Sequence, residues 1–294
     1  MSVGLWRRFL GIGEATAALP PDLGRRVARV QLAAARRIAA PWAGAYRSAF
    51  KGQGIEFADV REYVPGDDAR TVDWRVTART GRLAVRRYVE ERNRTVLFLL
   101  DAGAGILAGS GDRTLLEVAA EVVALVGGAA LAGGDRVALT AWSDRRELQI
   151  PPHRDHAALL RLVRAVLSLP TGGRPSNLPA ALATVPQQLR RAGVLVVLSP
   201  FAGAGYGRLL GALARRHELL LVRLWDEHAG IGSAHGWIPA RDASGAGGWG
   251  SPSSAALPAE IETLRGDVVM VSPRTALAPI LGHAFAARAR RRCA

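Results

Sequence analysis

The stretch TVLFLLDAGAG occupies Thr95 to Gly105. After Thr95 every residue to Leu100 is apolar, which is the composition of a strand covered on both faces. Asp101 ends the run, and Gly103 and Gly105 break the chain behind it. A helix is expected next, from about Arg113 to Leu131, with Leu116, Ala119, Val123, Val126 and Ala130 on one side and Gly133-Gly134 as its stop. The same rhythm then repeats. RVALTAW (Arg136–Trp142) reads as a strand, and RRELQI (Arg145–Ile150) returns after Ser143-Asp144 as its hairpin partner. Asp155 opens a helix in which Leu159, Leu162, Val163, Val166 and Leu167 keep helical spacing. Ser176 or Asn177 caps another, with Pro179 in its first turn and Pro186 shortening it. VLVVLS (Val194–Ser199), ELLLVRLW (Glu218–Trp225) and DVVMV (Asp267–Val271) are further strands. Helices fall near Tyr206–His217 and Thr275–Arg292, and residues 229–258 read as loop.

Strands alternating with helices imply an α/β fold: a doubly wound, mainly parallel sheet with one antiparallel hairpin strand. Such sheets place ligand sites beyond the carboxyl ends of their strands. Asp101, Ser199-Pro200 and Asp226 occupy those positions. Ahead of the sheet, residues 22–40 read as a helix capped by Asp22 and ended by Pro41. The segment after Phe50 is polar and irregular up to a strand at Arg82–Val89. The expected organisation is a basic helical segment (1–50), a polar segment (51–92) packed on the main domain, and the α/β domain (93–294).

Composition narrows the function classes. The chain has 294 residues and a net charge of +14, carried by arginine with Lys51 as its one lysine. Residues 1–50 hold eight arginines against Glu14 and Asp22, and Arg288–Arg292 hold four more, so the ends supply ten of the fourteen charges. Such ends can be solvated helices or a surface for nucleic acid or an anionic partner. Cys293 is the lone cysteine, which excludes an internal disulfide and a CxxC metal site and agrees with a reducing cytoplasm. The six histidines form no HExxH motif. The longest apolar run, from Val118, contains Glu121 and is short for a bilayer. Membrane contact is expected to be peripheral at most.

The polar segment is the most distinctive text. GQGIEFADVREYVPGDDARTVDW (Gly52–Trp74) crowds carboxylates between Asp59 and Asp73, with Arg61, Arg70 and Arg75 threaded among them. Clustered carboxylates can hold two metals for hydrolysis. Interleaved arginines instead neutralise that charge and offer bidentate partners, which favours an ion-paired scaffold or a docking surface. Tyr63 and Trp74 are expected to supply its apolar body. The candidate binding residues here are Arg61, Asp67, Asp68, Asp73, Trp74 and Arg79.

This segment, read on through VTARTGRLAVRRYVEERNRTVLFLLD, closely resembles the hallmark of the domain of unknown function 58 family, over about residues 20–290. The resemblance implies a von Willebrand factor A-like (Rossmann-like) domain. Typical A-domains bind Mg²⁺ through Asp-x-Ser-x-Ser after the first strand, a threonine from a later loop and a later aspartate. Here Asp101 matches the first aspartate. Gly103 and Gly105 stand at the two serine positions, Ser176 or Asn177 falls near the threonine, and Pro200 replaces the later aspartate. The expectation is a degenerate site holding no cofactor. A remodelled site using Asp101, Ser176, Asn177 and Ser199 is the alternative. The Gly103-x-Gly105 pair is a weak phosphate-loop signal, lacking a third glycine and a lysine. The resemblance further implies a non-enzymatic, cytoplasmic adaptor that works with a MoxR-type AAA+ ATPase on an unknown client protein. Nucleic-acid or anionic-surface binding through the basic termini, and a metal-dependent hydrolase built on residues 59–73, are the alternatives.

Overall fold

A computed structural model describes residues 25, 28, 30, 40–50, 55–68, 72–90, 93–107, 113–170, 174–226, 238–241, 247–250, 258–262 and 267–293. The chain divides into two compact units. Lys51–Asn93 forms one, and Met1–Phe50 with Arg94–Ala294 forms the other.

The larger unit is a mixed α/β fold around a six-stranded sheet. Its strands are β3 (Thr95–Asp101), β4 (Arg136–Trp142), β5 (Arg146–His153), β6 (Val194–Ser199), β7 (Glu218–Leu224) and β10 (Asp267–Val271). They lie in the order β10-β7-β6-β3-β4-β5, and every pair is parallel except the β4–β5 hairpin. The central strands separate their side chains by parity. Val96, Phe98 and Leu100 of β3 enter one core with Val194, Val196 and Leu198 of β6, while Leu97, Leu99, Leu195 and Val197 enter another. Both faces are therefore apolar and both are covered.

The first face is covered by α1 (Ala40–Ala49), α3 (Leu115–Ala132), α4 (His156–Leu167) and α9 (Leu277–Cys293). The second is covered by α5 (Leu178–Ala183), α6 (Val185–Gln188) and α7 (Gly207–Ala214), with Ile261 of α8 (Ala259–Glu262) against them. Helix α3 is the deepest element, with every residue from Leu115 to Leu131 buried. It is long and apolar enough to cross a membrane, but 94% of that span is enclosed by protein. Its two acids are explained locally. Glu117 closes a capping box with Thr114, each side chain accepting from the other's backbone N–H, and Glu121 accepts from Arg113 at 2.6 Å. Gly127 lets α4 approach, since a Cβ there would lie 2.7 Å from Leu159 Cδ1.

Two sequence expectations need correction in this unit, and another lies mostly outside the described residues. Pro41 does not end a helix but sits in the first turn of α1, where its missing N–H costs nothing. Of the helix expected over 22–40, Arg25, Ala28, Val30 and Ala40 are described, as helical; the rest lies outside the described residues. The second correction is that Ile238–Arg241 (β8) and Gly247–Gly250 (β9) pair antiparallel inside the stretch read as loop. Helix α1 is held from several sides. Tyr46 Oη donates to Asp135 Oδ2 at 3.0 Å, and the same carboxylate accepts from Arg94 N–H at 3.1 Å. Burial pushes the Tyr46 phenol well above its ordinary pKa, with Asp135 adding to the effect. Tyr46, Phe50 and Phe285 form an aromatic cluster with centroids 5.0–6.0 Å apart.

The smaller unit is not irregular. β1 (Ile55–Glu62) pairs antiparallel with β2 (Ala84–Glu90), and the connection carries a turn and the short helix α2 (Trp74–Thr80). Asp73 Oδ1 caps α2 by accepting from Arg75 N–H and Val76 N–H, and Gly81 closes it at φ 70°, a conformation that disfavours a side chain. The strand at 82–89 was legible in the sequence. β1 was not, because its Glu56, Asp59 and Arg61 interrupt any apolar alternation.

The basic end of the chain is partly absorbed by the fold. Arg288 of α9 donates to Glu218 and Asp267, to Leu219 C=O at 2.9 Å and to Ala49 C=O at 3.0 Å. Its guanidinium also lies 4.7 Å from the Phe50 ring centre. Arg291 shares Asp267. Deleting one partner of such an enclosed pair strands the others. Arg288→Ala is expected to destabilise by about 3 kcal/mol. Arg291, whose side chain is 63% exposed, should cost under about 1 kcal/mol. Urea denaturation of both variants checks the contrast.

Candidate functional site

The carboxyl ends of β3, β4 and β6 meet at one edge of the sheet. Asp101 is the last residue of β3 and is only 4% exposed. Its Oδ2 accepts from Ser176 Oγ and Ser199 Oγ, each at 2.7 Å, and its Oδ1 accepts from Gly103 N–H at 3.1 Å. Ser199 Oγ in turn accepts from Phe201 N–H at 2.8 Å, which turns the chain away from β6. Phe201 takes this turn at φ 53° and is buried; Tyr206 Oη donates to its carbonyl.

The loop that brings Ser176 is pinned twice. Ala104 N–H donates to Arg174 C=O at 2.8 Å, and Asn177 N–H donates to Ser143 C=O at 2.9 Å. Asn177 Oδ1 caps α5 by accepting from Ala180 N–H. Arg174 also bridges the end of the hairpin, 3.6 Å from Asp144 and 3.5 Å from Glu147, while Ser143 Oγ lies 2.6 Å from Glu147 Oε1. The hydrogen bond from Ser143 to Asp144 holds that carboxyl below its ordinary pKa, with the Arg174 charge assisting.

Three of the four residues expected at this edge therefore converge: Asp101, Ser176 and Ser199. Asn177 is adjacent but is occupied as a helix cap. Ser143, Glu147 and Arg174 were not anticipated. The signal for Ser143 was available, since it follows a strand as Asp101 does, yet the hairpin reading drew attention away from it. Asp226, after β7, is buried.

The donor set does not fit a hard divalent cation, which needs several oxygen ligands and retains waters. Asp101 is enclosed and both its oxygens accept hydrogen bonds from the protein. Gly103 cannot be replaced by a ligating serine without rebuilding the loop, because a Cβ there would lie 2.7 Å from Ser176 Cβ and 2.9 Å from Ser176 Cα. Ser176 fills the space where such a side chain would stand. No cluster of three His, Cys, Asp or Glu side chains able to hold a metal occurs among the described residues.

The residues singled out in the polar segment belong to the smaller unit. Arg61 donates to Asp67 through two nitrogens, at 2.7 and 2.6 Å, and Asp67 also accepts from Val64 N–H at 2.9 Å. The Arg61 hydrogen bond holds the Asp67 carboxyl below its ordinary pKa. Glu62 pairs with Arg82 at 2.8 Å rather than with an arginine of the motif. Asp73 is spent on capping α2. Asp68 is exposed on the turn. One expectation fails here: Trp74 is 68% exposed, so it supplies no packed body. Arg75 and Arg79 are exposed and make no ion pair among the described residues. The reason is geometric, since α2 turns these side chains outward and buries none of its own residues.

The chain belongs to the family described as "Protein of unknown function DUF58", whose profile matches residues 59–246. Uncharacterized proteins of Mycobacterium tuberculosis (strain ATCC 25618 / H37Rv) and Mycobacterium bovis are 28% identical over 210 residues. That match covers 70% of this chain and spans 66% of the length of those relatives. Among solved structures, BatB from Bacteroides thetaiotaomicron is 14% identical with a TM-score of 0.49, over 67% of this chain and 100% of its own. An aerotolerance-related membrane protein from Bacteroides fragilis NCTC 9343 is 16% identical with a TM-score of 0.45, over 68% and 100% respectively.

Two outcomes test this geometry. Burial is the largest influence on the Asp101 carboxyl and raises its pKa above the ordinary 3.8, against the lowering effect of Ser199, Ser176 and Gly103. A raised folded pKa means that the native state holds the proton more tightly than the unfolded chain. Stability from this group is thus complete below 3.8 and is lost as pH rises through the folded value. Asp101→Asn removes that dependence, so its melting temperature should gain on the parent's as pH rises above 3.8; thermal melts across pH measure it. Gly103→Ala should destabilise by about 1–3 kcal/mol, because Ser176 backbone must move; denaturant unfolding measures it.

Proposed function

We propose that this chain is a non-enzymatic adaptor that acts by presenting protein surfaces, and that its larger unit is a von Willebrand factor A-like domain whose metal site has closed. The observation that carries the reading is the state of Asp101. The carboxylate that would hold a cation is buried and hydrogen-bonded to Ser176, Ser199 and Gly103 N–H. Three of its roughly four acceptor positions are taken by the protein, and the group is only 4% exposed, which leaves little for a hydrated cation. The carboxylates of the 59–73 segment support the same reading, since Asp67 is neutralised by Arg61 and Asp73 is committed to a helix cap. A two-metal hydrolase centre would need those oxygens free. The basic-terminus alternative loses weight for the same kind of reason, because Arg288 and Arg291 are engaged with Glu218 and Asp267.

The partner we assign is a MoxR-type AAA+ ATPase, acting in the cytoplasm with this chain on a client protein; family membership supports that assignment. Affinity purification from nuclease-treated native lysate, with and without ATP, is expected to recover such an ATPase in a nucleotide-dependent manner. Calorimetric titration of the purified chain with Mg²⁺ or Mn²⁺ is expected to give no saturable heat. Cation binding that disappears in Asp101→Asn would overturn the closed-site reading. Recovery of nucleic acid in place of an ATPase, when nuclease is omitted, would overturn the partner assignment.

A further inference from the structure

Three of the four large apolar side chains exposed among the described residues belong to the smaller unit: Trp74 at 68%, Val64 at 56% and Leu83 at 48%. They stand on neighbouring backbone. Tyr63 N–H donates to Leu83 C=O at 2.9 Å, and Asp73 N–H donates to Ala84 C=O at 2.8 Å, so the residues preceding Val64 and Trp74 are hydrogen-bonded to Leu83 and to the residue after it. Trp74, Arg75, Ala78 and Arg79 are all exposed and lie one turn apart on α2. The two guanidinium groups make no ion pair among the described residues. The platform beneath them is rigid: Asp73, 6% exposed, caps α2, Gly81 closes it, and Thr77 Oγ1 accepts from Ala84 N–H at 3.1 Å to tie it to β2.

We infer that this outward face of α2, extended by Val64 and Leu83, is a docking surface for an acidic protein segment that carries bulky apolar side chains. Tryptophan and arginine on a pre-organised backbone are the residue types that concentrate binding energy at interfaces. Two guanidiniums with no ion pair among the described residues ask for carboxylates with matching planar geometry. A protein segment suits the face better than a nucleic-acid strand or an anionic bilayer for two reasons. Val64 and Leu83 offer aliphatic contact and no stacking surface for bases. Two arginines on α2 fall short of the larger basic clusters that hold an anionic leaflet. The inference rests on the adaptor reading and names the chemistry of its partner.

The test uses the purified full chain and synthetic probes, so that it stands apart from recovery of any ATPase. A fluorescein-labelled peptide of repeated Glu-Glu-Leu-Asp-Phe is titrated with the chain and followed by anisotropy. Binding is expected, with affinity falling as salt rises. Trp74→Ala, and separately the Arg75→Glu/Arg79→Glu pair, should each weaken it by about tenfold or more. The exposed control pair Arg191→Glu/Arg208→Glu changes net charge equally and should leave it within about twofold. A peptide with serine for leucine and phenylalanine should bind no more tightly than the Trp74→Ala variant binds the parent peptide. Absence of peptide binding, or equal weakening by the control pair, overturns the inference. So does oligo(dT), or a phosphatidylserine vesicle, binding more tightly than the peptide in a manner lost with Trp74→Ala.

Discussion

Covering β3 on both faces is the constraint from which the rest follows. Once Val96, Phe98 and Leu100 point into one core and Leu97 and Leu99 into the other, the strand has no polar side. Its flanking strands β4 and β6 lie parallel to it, and helices close both surfaces. The last residue of that strand is carried under the same cover. Asp101 thus arrives in a nearly dry place, where an isolated carboxylate is costly and must find donors. Two serine hydroxyls and a backbone N–H meet that need, and they come from the ends of β3 and β6 and from the loop before α5. The edge where such sheets ordinarily present a ligand site is here closed by the protein upon itself.

The same economy governs the arginines. A chain with a net charge of +14 would be expected to display its cations. Several are instead structural: Arg113 against Glu121, Arg174 between Asp144 and Glu147, Arg61 against Asp67, and Arg288 at the junction of α1, β7 and α9. Arg288 is the most committed of these. It joins carboxylates of two strands, two backbone carbonyls and an aromatic face, a set only a planar guanidinium with several donors can satisfy. Arginines left outward therefore stand out, and those on α2 do so beside an exposed tryptophan.

Most of the larger unit could be read from the amino-acid order. Unbroken apolar runs marked β3, β6 and β7, a cap and i, i+3, i+4 spacing marked α4, and the Ser143-Asp144 turn marked the hairpin. The misreadings have physical causes. Pro41 is ambiguous, since a proline suits a helix's first turn as well as the end of the one before it. β1 carries charges on a two-stranded ribbon that encloses no full core, so no alternation announces it. Of the edge site, Asp101, Ser176 and Ser199 were legible because each follows a strand or precedes a helix. Ser143, Glu147 and Arg174 were not, because their association depends on how a hairpin and a loop settle against each other.

The order of residues by itself determined the class of fold, the position of the central strand and the absence of ligating side chains at 103, 105 and 200, since these are properties of local composition and periodicity. Tertiary structure alone decided that Asp101 is spent on Ser176 and Ser199, that Arg288 is a structural clamp while Arg75 and Arg79 face outward, and that Trp74 is exposed. Those outcomes turn on distances between residues tens of positions apart and on which face of a helix meets a neighbour, and no local pattern of residues encodes them.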